Sequence, residues 1–159
     1  MNAIDRMTSY LNEHHIPFEM IAHPHTGTSR QTASAAGVDR HRMVKAVLLE
    51  SPECFLAAMI PADEKVRLGM LSQDYGQQFS LASEDAVRLL FDGCDPGAAP
   101  GLPIAWEVDM VWEDDLLEQP DLYLEAGDHE RLIHVETKYL REMLREVPHC
   151  HFSKLQTQH

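Results

Sequence analysis

Lys45 is the first residue whose setting suggests chemistry, because it lies inside the apolar run Met43-Val44-Lys45-Ala46-Val47-Leu48-Leu49. Removing an ammonium from water is costly, so a lysine among apolar strand neighbours is expected to be paired or functional. Pointed into a cavity, it can hold an anion or a carbonyl oxygen, and desolvation brings its titration towards neutrality. The plainer alternative is a lysine near the start of the strand that reaches solvent or pairs with an acid such as Asp63. A second feature is the loop Cys94-Asp95-Pro96-Gly97-Ala98-Ala99-Pro100-Gly101. Its prolines stiffen the backbone, while Gly97, Ala98, Ala99 and Gly101 keep their N–H groups behind almost no side chain. Such a stretch lets a ligand oxygen approach main-chain donors, as oxyanion stabilisation requires, although an ordinary rigid turn uses the same residues. Gly127-Asp128-His129 is the third: good turn chemistry, with His129 either an exposed corner or a hydrogen-bonding or proton-transfer group at a pocket mouth.

Other candidates are weaker. The pairs His23/His25 and His149/His151 have an HxH spacing that a metal could use, but neither has a local third ligand and Pro24 interrupts the first. No metal or other cofactor is therefore expected. The serines lack a GxSxG elbow, and neither GxxxxGK[ST] nor GxGxxG occurs. Cys54 opens an apolar strand and reads as inert core.

The elements that must position these groups follow from periodicity and punctuation. Ile4, Met7 and Leu11 recur at helical spacing between Ala3 and His14, and Ile16-Pro17 ends that helix. Phe18 to Ala22 reads as a strand, 23–27 as a loop, and Ser29 to Ala36 as a short helix closed by Gly37. Met43–Leu49 and Phe55–Ile60 are apolar on both faces and separated by Glu50-Ser51-Pro52-Glu53, which predicts a hairpin covered on both sides. Helices are expected over Glu64–Tyr75, over Glu84–Phe91 with Ser83 as N-cap, and from about Lys138 to Arg145. Asp92–Pro103 is an ordered loop, and further strands fall near 104–112, 121–126 and 131–135. Strands and helices alternate without a regular βαβ rhythm, so the fold class is α/β (α+β): a mixed sheet or small barrel with helices outside.

The chain has 159 residues, enough for one domain with its own core and no disulfide framework from its three cysteines. No apolar run approaches the roughly 20 residues of a membrane span, so no membrane association is expected. The N-terminus lacks the basic start and apolar centre of a signal peptide, and a cytoplasmic location is the expectation. Its formal charge of −13 argues against a general coat for DNA or RNA. The charge is uneven: residues 1–50 hold five acids and five bases, whereas residues 107–130 hold ten acids and neither lysine nor arginine. An anionic partner would dock on the N-terminal third.

Four segments in order, HPHTGTSRQTASAAGVDRHRMVKAVLLE (23–50), FLAAMIPADEKV (55–66), DPGAAPGLP (95–103) and EAGDHERLIHV (125–135), resemble the YbaK/EbsC family. These are aminoacyl-tRNA deacylases related to the editing domain inserted in bacterial prolyl-tRNA synthetases, and the similarity runs from about residue 10 to residue 145. The resemblance implies a single compact YbaK-like domain over 1–159, with a mixed sheet or barrel surrounded by helices. It also implies hydrolysis, in trans, of the ester joining a wrong amino acid to tRNA. Lys45 falls at the family's strand lysine, Gly97, Ala98, Ala99, Pro100 and Gly101 at its Gly/Pro loop, and Gly127, Asp128 and His129 at a turn carrying a pocket residue. Thr28, Ser29, Val44 and Ala46 lie in segments that line the pocket. Two departures stand out: the loop reads PGAAPGLP where relatives often read PGAVPPFG, and Ala46 follows the lysine where some relatives carry Asn.

An aminoacyl ester is already activated, so such a site needs to position it and stabilise the oxyanion, with the vicinal ribose hydroxyl or a water as nucleophile. Lys45 would supply charge, the amides of Gly97, Ala98 and Ala99 would supply donors, and His129 would assist proton transfer. The implied partners are the acceptor end of mischarged tRNA and, through the family, an aminoacyl-tRNA synthetase. Two alternatives stay open at this level: a module of the same fold that binds tRNA or a synthetase without hydrolysis, and a metal-dependent hydrolase using the histidine pairs.

Overall fold

The computed structural model describes residues 2–156. Helix α1 (Ala3–Glu13) starts where the Asn2 side chain accepts from the Asp5 N–H, and it buries Ala3, Met7 and Leu11, four residues apart. Strand β1 (Phe18–Ala22) follows, then α2 (Ser29–Ala36), which is capped by Thr28 Oγ1 and closed by Gly37 at φ 70°. Strands β2 (Met43–Glu50) and β3 (Phe55–Pro61) form the expected hairpin, antiparallel from Val44 with Pro61 to Glu50 with Phe55.

The segment expected to be one helix over 64–75 divides in two. Glu64–Val66 is a strand, β4, and only Leu68–Tyr75 is helical, as α3. The strand forms because its partner arrives from the far end of the chain: β10 (Ser153–Leu155) pairs with it antiparallel, Ser153 opposite Val66. Next come β5 (Ser80–Leu81) and α4 (Glu84–Leu90), the latter capped by Ser83 as its sequence suggests. The strand expected over 104–112 is shorter and later. Pro103 instead opens a 3₁₀ turn to Trp106, whose indole N–H donates to Asp92 O at 2.8 Å, and the strand β6 is Met110–Glu113. The remaining elements are α5 (Asp114–Leu117), β7 (Asp121–Glu125), β8 (Arg131–Glu136), α6 (Thr137–Met143) and β9 (His149–Cys150).

Eight of the strands make one mixed sheet in the order β1-β8-β7-β2-β3-β6-β9, with β5 joined to β2. The expected mixed α/β fold is therefore present. Alternation sends Val44, Leu48, Ala57, Met59, Leu122, Leu124, Ile133 and Val135 to one face, where they pack with Met7, Leu11, Trp106, Trp112 and Leu140. The other face carries two smaller clusters. Leu49, Leu56, Ala58 and Ile60 pack with Leu71, Phe79 and Phe152, while Met43 and Leu132 pack with Ala33 of α2 and with Ala62. Strand β3 is buried from Leu56 to Pro61, but β2 is only half-buried at Lys45, Ala46 and Val47. The hairpin is thus covered on both sides except at that stretch.

Candidate active site

The half-buried stretch of β2 coincides with a break in its strand pairing. Along one edge β2 is paired with β3 throughout, but on the other β7 pairs only with Met43 and Val44, and β5 rejoins only at Leu49 and Glu50. Between Lys45 and Val47 that second edge has no registered strand partner among the described residues, and this break in the pairing is the notch. Lys45 stands in it, between the two clusters of the second face. Its Nζ donates to the Glu64 carbonyl oxygen at 3.0 Å, so the ammonium is held by β4 rather than by the Asp63 carboxylate. Burial lowers its pKa from the usual lysine value; Asp63 and Glu125 oppose this, and Arg30 at the start of α2 adds to it.

The Gly/Pro loop is fixed to the end of β7. Gly101 N–H donates to Glu125 O at 2.8 Å, and Asp95 N–H to Gly127 O at 2.8 Å. Gly101 has no room for a side chain, since a Cβ there would sit 2.6 Å from Leu124 Cβ and 2.9 Å from Leu124 Cα. Within the loop, Ala98 N–H closes a turn on Asp95 O at 3.0 Å, and Ala98, Pro100 and Gly101 are buried. Of the donors expected from sequence, Ala98 and Gly101 are therefore committed to the fold, and Gly97 and Ala99 keep N–H groups with no partner among the described residues.

The turn after β7 presents His129. Asp128, expected to bind substrate, is occupied in holding this turn: its carboxylate accepts from Glu130 N–H, Arg131 N–H and Arg131 Nε at 3.0, 2.9 and 2.8 Å. Burial raises the Asp128 carboxyl, but those bonds outweigh it and hold its pKa below the usual range. Gly127, at φ 91°, packs where a Cβ would meet Ala3 Cβ at 2.8 Å and Cys94 Sγ at 2.9 Å, so it too serves the backbone. His129 itself adopts φ 62°, and its Nε2–H donates to Pro96 O at 2.9 Å, which fixes the ring against the Gly/Pro loop. His25 lies beside it, ring centroids 5.3 Å apart.

Glu125, which sequence reasoning did not single out, completes the group. It follows Leu124, the last β7 residue registered with β2, just as Lys45 follows Val44, so the two side chains leave neighbouring parallel strands on the same face. Ser29 Oγ donates to Glu125 Oε1 at 3.2 Å. Burial pushes this carboxyl up to about 7, against the opposing influence of Ser29, His129 and Lys45. The available signal was its place at the junction of an apolar strand and a Gly-Asp turn, inside a stretch of ten acids without lysine or arginine. Among the expected lining residues, Ser29 is thus at the site, whereas Thr28 is the cap of α2. Val44 is fully buried in the core on the opposite face, and Ala46 and Ala99 pack against that same core from its margin.

The histidine pairs are not a shared centre. His23 Nδ1 faces Pro24 O, His25 lies 3.7 Å from Glu130, and His149 and His151 pair separately with Asp114 and Glu113. Donor groupings of another kind do occur, His41 with Asp63 and Glu64, and His151 with Glu113 and Asp115. They flank the Ser153 hydroxyl, which reaches both Glu64 and Glu113. A hydroxyl has one proton to give. Only one of the two carboxylates can receive it at a time, and burial raises the Glu64 carboxyl against the opposing Ser153 bond and His41. A surface cavity of about 790 Å³ lined by Phe55, Tyr75, Ile104 and Met143 contains none of Lys45, the Gly/Pro loop, Glu125 and His129.

The whole chain resembles solved structures at low identity. A candidate trans-editing enzyme for prolyl-tRNA synthetase superposes with a TM-score of 0.81 at 19% identity, over 97% of this chain and 98% of that one. A hypothetical protein, APE2540, gives 0.82 at 19% identity over 94% and 99%. A scaffold protein used for computational epitope grafting gives 0.81 at 20% over 96% and 97%. No curated protein matches. Residues 23–143, which include Lys45, the Gly/Pro loop, Glu125 and His129, match the aminoacyl-tRNA editing domain family, and the chain belongs to that family.

Proposed function

We propose that this protein is an aminoacyl-tRNA deacylase acting in trans, which hydrolyses the ester of mischarged tRNA in the cytoplasm as a single editing domain. The observation that carries the reading is the Lys45 ammonium, partly desolvated and held at the unpaired stretch of β2, inside the segment shared with the family. In this reading the notch receives the ester, with Lys45 beside its carbonyl oxygen. The unpartnered N–H groups of Gly97 and Ala99 supply further donors to the oxyanion. Water adds to the carbonyl carbon and gives up a proton, the ester C–O bond breaks, and the departing ribose oxygen takes up a proton, so the amino acid leaves with a free carboxyl group. His129, fixed through Nε2, presents Nδ1 to that proton transfer. Arg30 acts on Lys45 and His129 on Glu125, with His25 beside His129; these groups suit the phosphates and base of a tRNA acceptor end, and a synthetase is the natural source of the mischarged substrate.

Incubation with a panel of mischarged tRNAs tests this directly. Release of free amino acid from at least one of them, faster than spontaneous hydrolysis and without a synthetase, is the expected result. Absence of release across the panel would leave a binding module of the same fold.

A further inference from the structure

We propose that Glu125 receives the α-ammonium group of the substrate, so that the site takes esters of free amino acids and rejects N-acylated and peptidyl esters. The inference rests on the editing reading above.

Glu125 differs from Glu113 and Asp128, two other carboxylates that the fold encloses. Glu113 accepts from Phe152 N–H, Ser153 N–H, Ser153 Oγ, Asp115 N–H and His151, and Asp128 accepts three bonds from Glu130 and Arg131. Those groups are saturated, as enclosed carboxylates with a purely structural role should be. Glu125 has one donor, the Ser29 hydroxyl on Oε1, and Oε2 takes no hydrogen bond from a described residue. The neighbouring Lys45 does not close on it, being tied to the Glu64 carbonyl. The charged groups acting on it are Lys45 from β2 and His129 from the following turn; α2 contributes the neutral Ser29. They leave the carboxyl raised to about 7 by burial, short of a cationic partner. A positively charged donor is what this position lacks.

Spacing identifies the donor. In an aminoacyl ester the ammonium and the carbonyl carbon are separated by a single carbon, so their two receptors must be close neighbours. Lys45 and Glu125 project from adjacent strands, whose backbones lie about 4.8 Å apart. One side chain meets the carbonyl oxygen and the other the ammonium. An acylated nitrogen carries no charge, and its acyl group would need room beside Ser29.

The test uses non-hydrolysable 3′-aminoacylamido-3′-deoxyadenosines carrying alanine or proline, each with a free and an acetylated amine, titrated by calorimetry into the intact protein at neutral pH. A charge-assisted hydrogen bond is worth about 1.5–3 kcal/mol, so the free-amine form should bind roughly 10- to 100-fold more tightly. Glu125→Gln, matched in size and checked by circular dichroism, should weaken the free-amine form to parity and leave the acetylated form unchanged. Equal binding of the two forms to the wild type overturns the proposal, and this comparison needs no variant. Discrimination that survives Glu125→Gln, or failure of every analogue to bind, overturns it as well. A variant that loses turnover but keeps the discrimination would make Glu125 a base towards the nucleophile instead, and also overturns it. Deacylation of mischarged tRNA is read separately, so loss of the editing reading and loss of this one are distinguishable.

Discussion

Lys45 and Glu125 occupy matching places on neighbouring parallel strands, each one residue beyond the registered pair Val44 and Leu124. The pair places a cation and an acid side by side where strand pairing stops, and neither neutralises the other by direct contact: the ammonium rests on a carbonyl of β4 and the carboxyl on Ser29. That arrangement is poor for stability and suited to a ligand carrying both an oxygen acceptor and a charged amine.

Lys45→Ala should reduce deacylation by about 10²–10³-fold, the usual effect of losing one oxyanion-stabilising group. Circular dichroism should show an unchanged fold, because the lost bond ends on a carbonyl at the rim of the sheet. Initial rates on the mischarged tRNA that proves to be the substrate check this, and unaltered turnover removes Lys45 from the mechanism.

Gly101→Ala should destabilise the chain by about 1–3 kcal/mol, as overpacking against backbone does. The new methyl would meet Leu124 Cα at 2.9 Å and Glu125 N at 3.0 Å, neither of which can give way without moving β7. Gly69→Ala in α3 is the contrast: nothing lies within 4 Å of the added carbon, and the change should stabilise by about 0.4–1 kcal/mol. Urea denaturation of the two variants should shift in opposite directions.

Glu113 sets part of the acid sensitivity. Burial alone would raise its carboxyl, but the bonds from Ser153, His151, Phe152 and Asp115 outweigh it and keep the pKa below the usual glutamate value. An acid whose pKa is lowered on folding contributes stability above its unfolded pKa of about 4.3 and loses it as the pH falls through the folded value. Glu113→Gln should therefore lower stability at neutral pH, by about 1–3 kcal/mol for the disrupted donors, and the gap from wild type should narrow below pH 4.3. Denaturation midpoints across that acid range measure it.

Cys94 should be chemically quiet. Burial, reinforced by Asp95, pushes its thiol up to about 12, so almost no thiolate exists at neutral pH. Iodoacetamide at pH 7.5 should leave it unmodified in the folded protein and label it after unfolding, as read by mass spectrometry of peptides. Rapid labelling of the folded chain would contradict the packing of Cys94 under Gly127.

Binding to free tRNA should be weak and fall steeply with salt. A chain of formal charge −13 has little general attraction for phosphate, and the basic groups near the notch, Arg30 and Lys45, are few. A titration between 50 and 200 mM salt checks this; tight binding that is indifferent to salt would require a recognition surface elsewhere.

Local pattern was enough for much of the architecture. Thr28 and Gly37 bracket α2 and Ser83 opens α4 because capping is a contact within one turn. The runs from Met43 and Phe55 pair across a four-residue turn, so their hairpin was legible too. Lys45 was visible for the same reason, as a charge out of place in an apolar run. Tertiary structure decided what depends on distant partners. Glu64–Val66 became a strand only because Ser153–Leu155 returns to pair with it. Asp128 proved to be a turn clamp, Val44 a core residue, and the Ala98 amide part of a closed turn. Glu125 came to stand beside Lys45 only once β7 lay parallel to β2. Caps, hairpins and hydrophobic period are fixed by neighbours along the chain, whereas the supply of free donors and unpaired charges is what remains after residues eighty or more positions apart have chosen their partners, and no stretch of sequence records that remainder by itself.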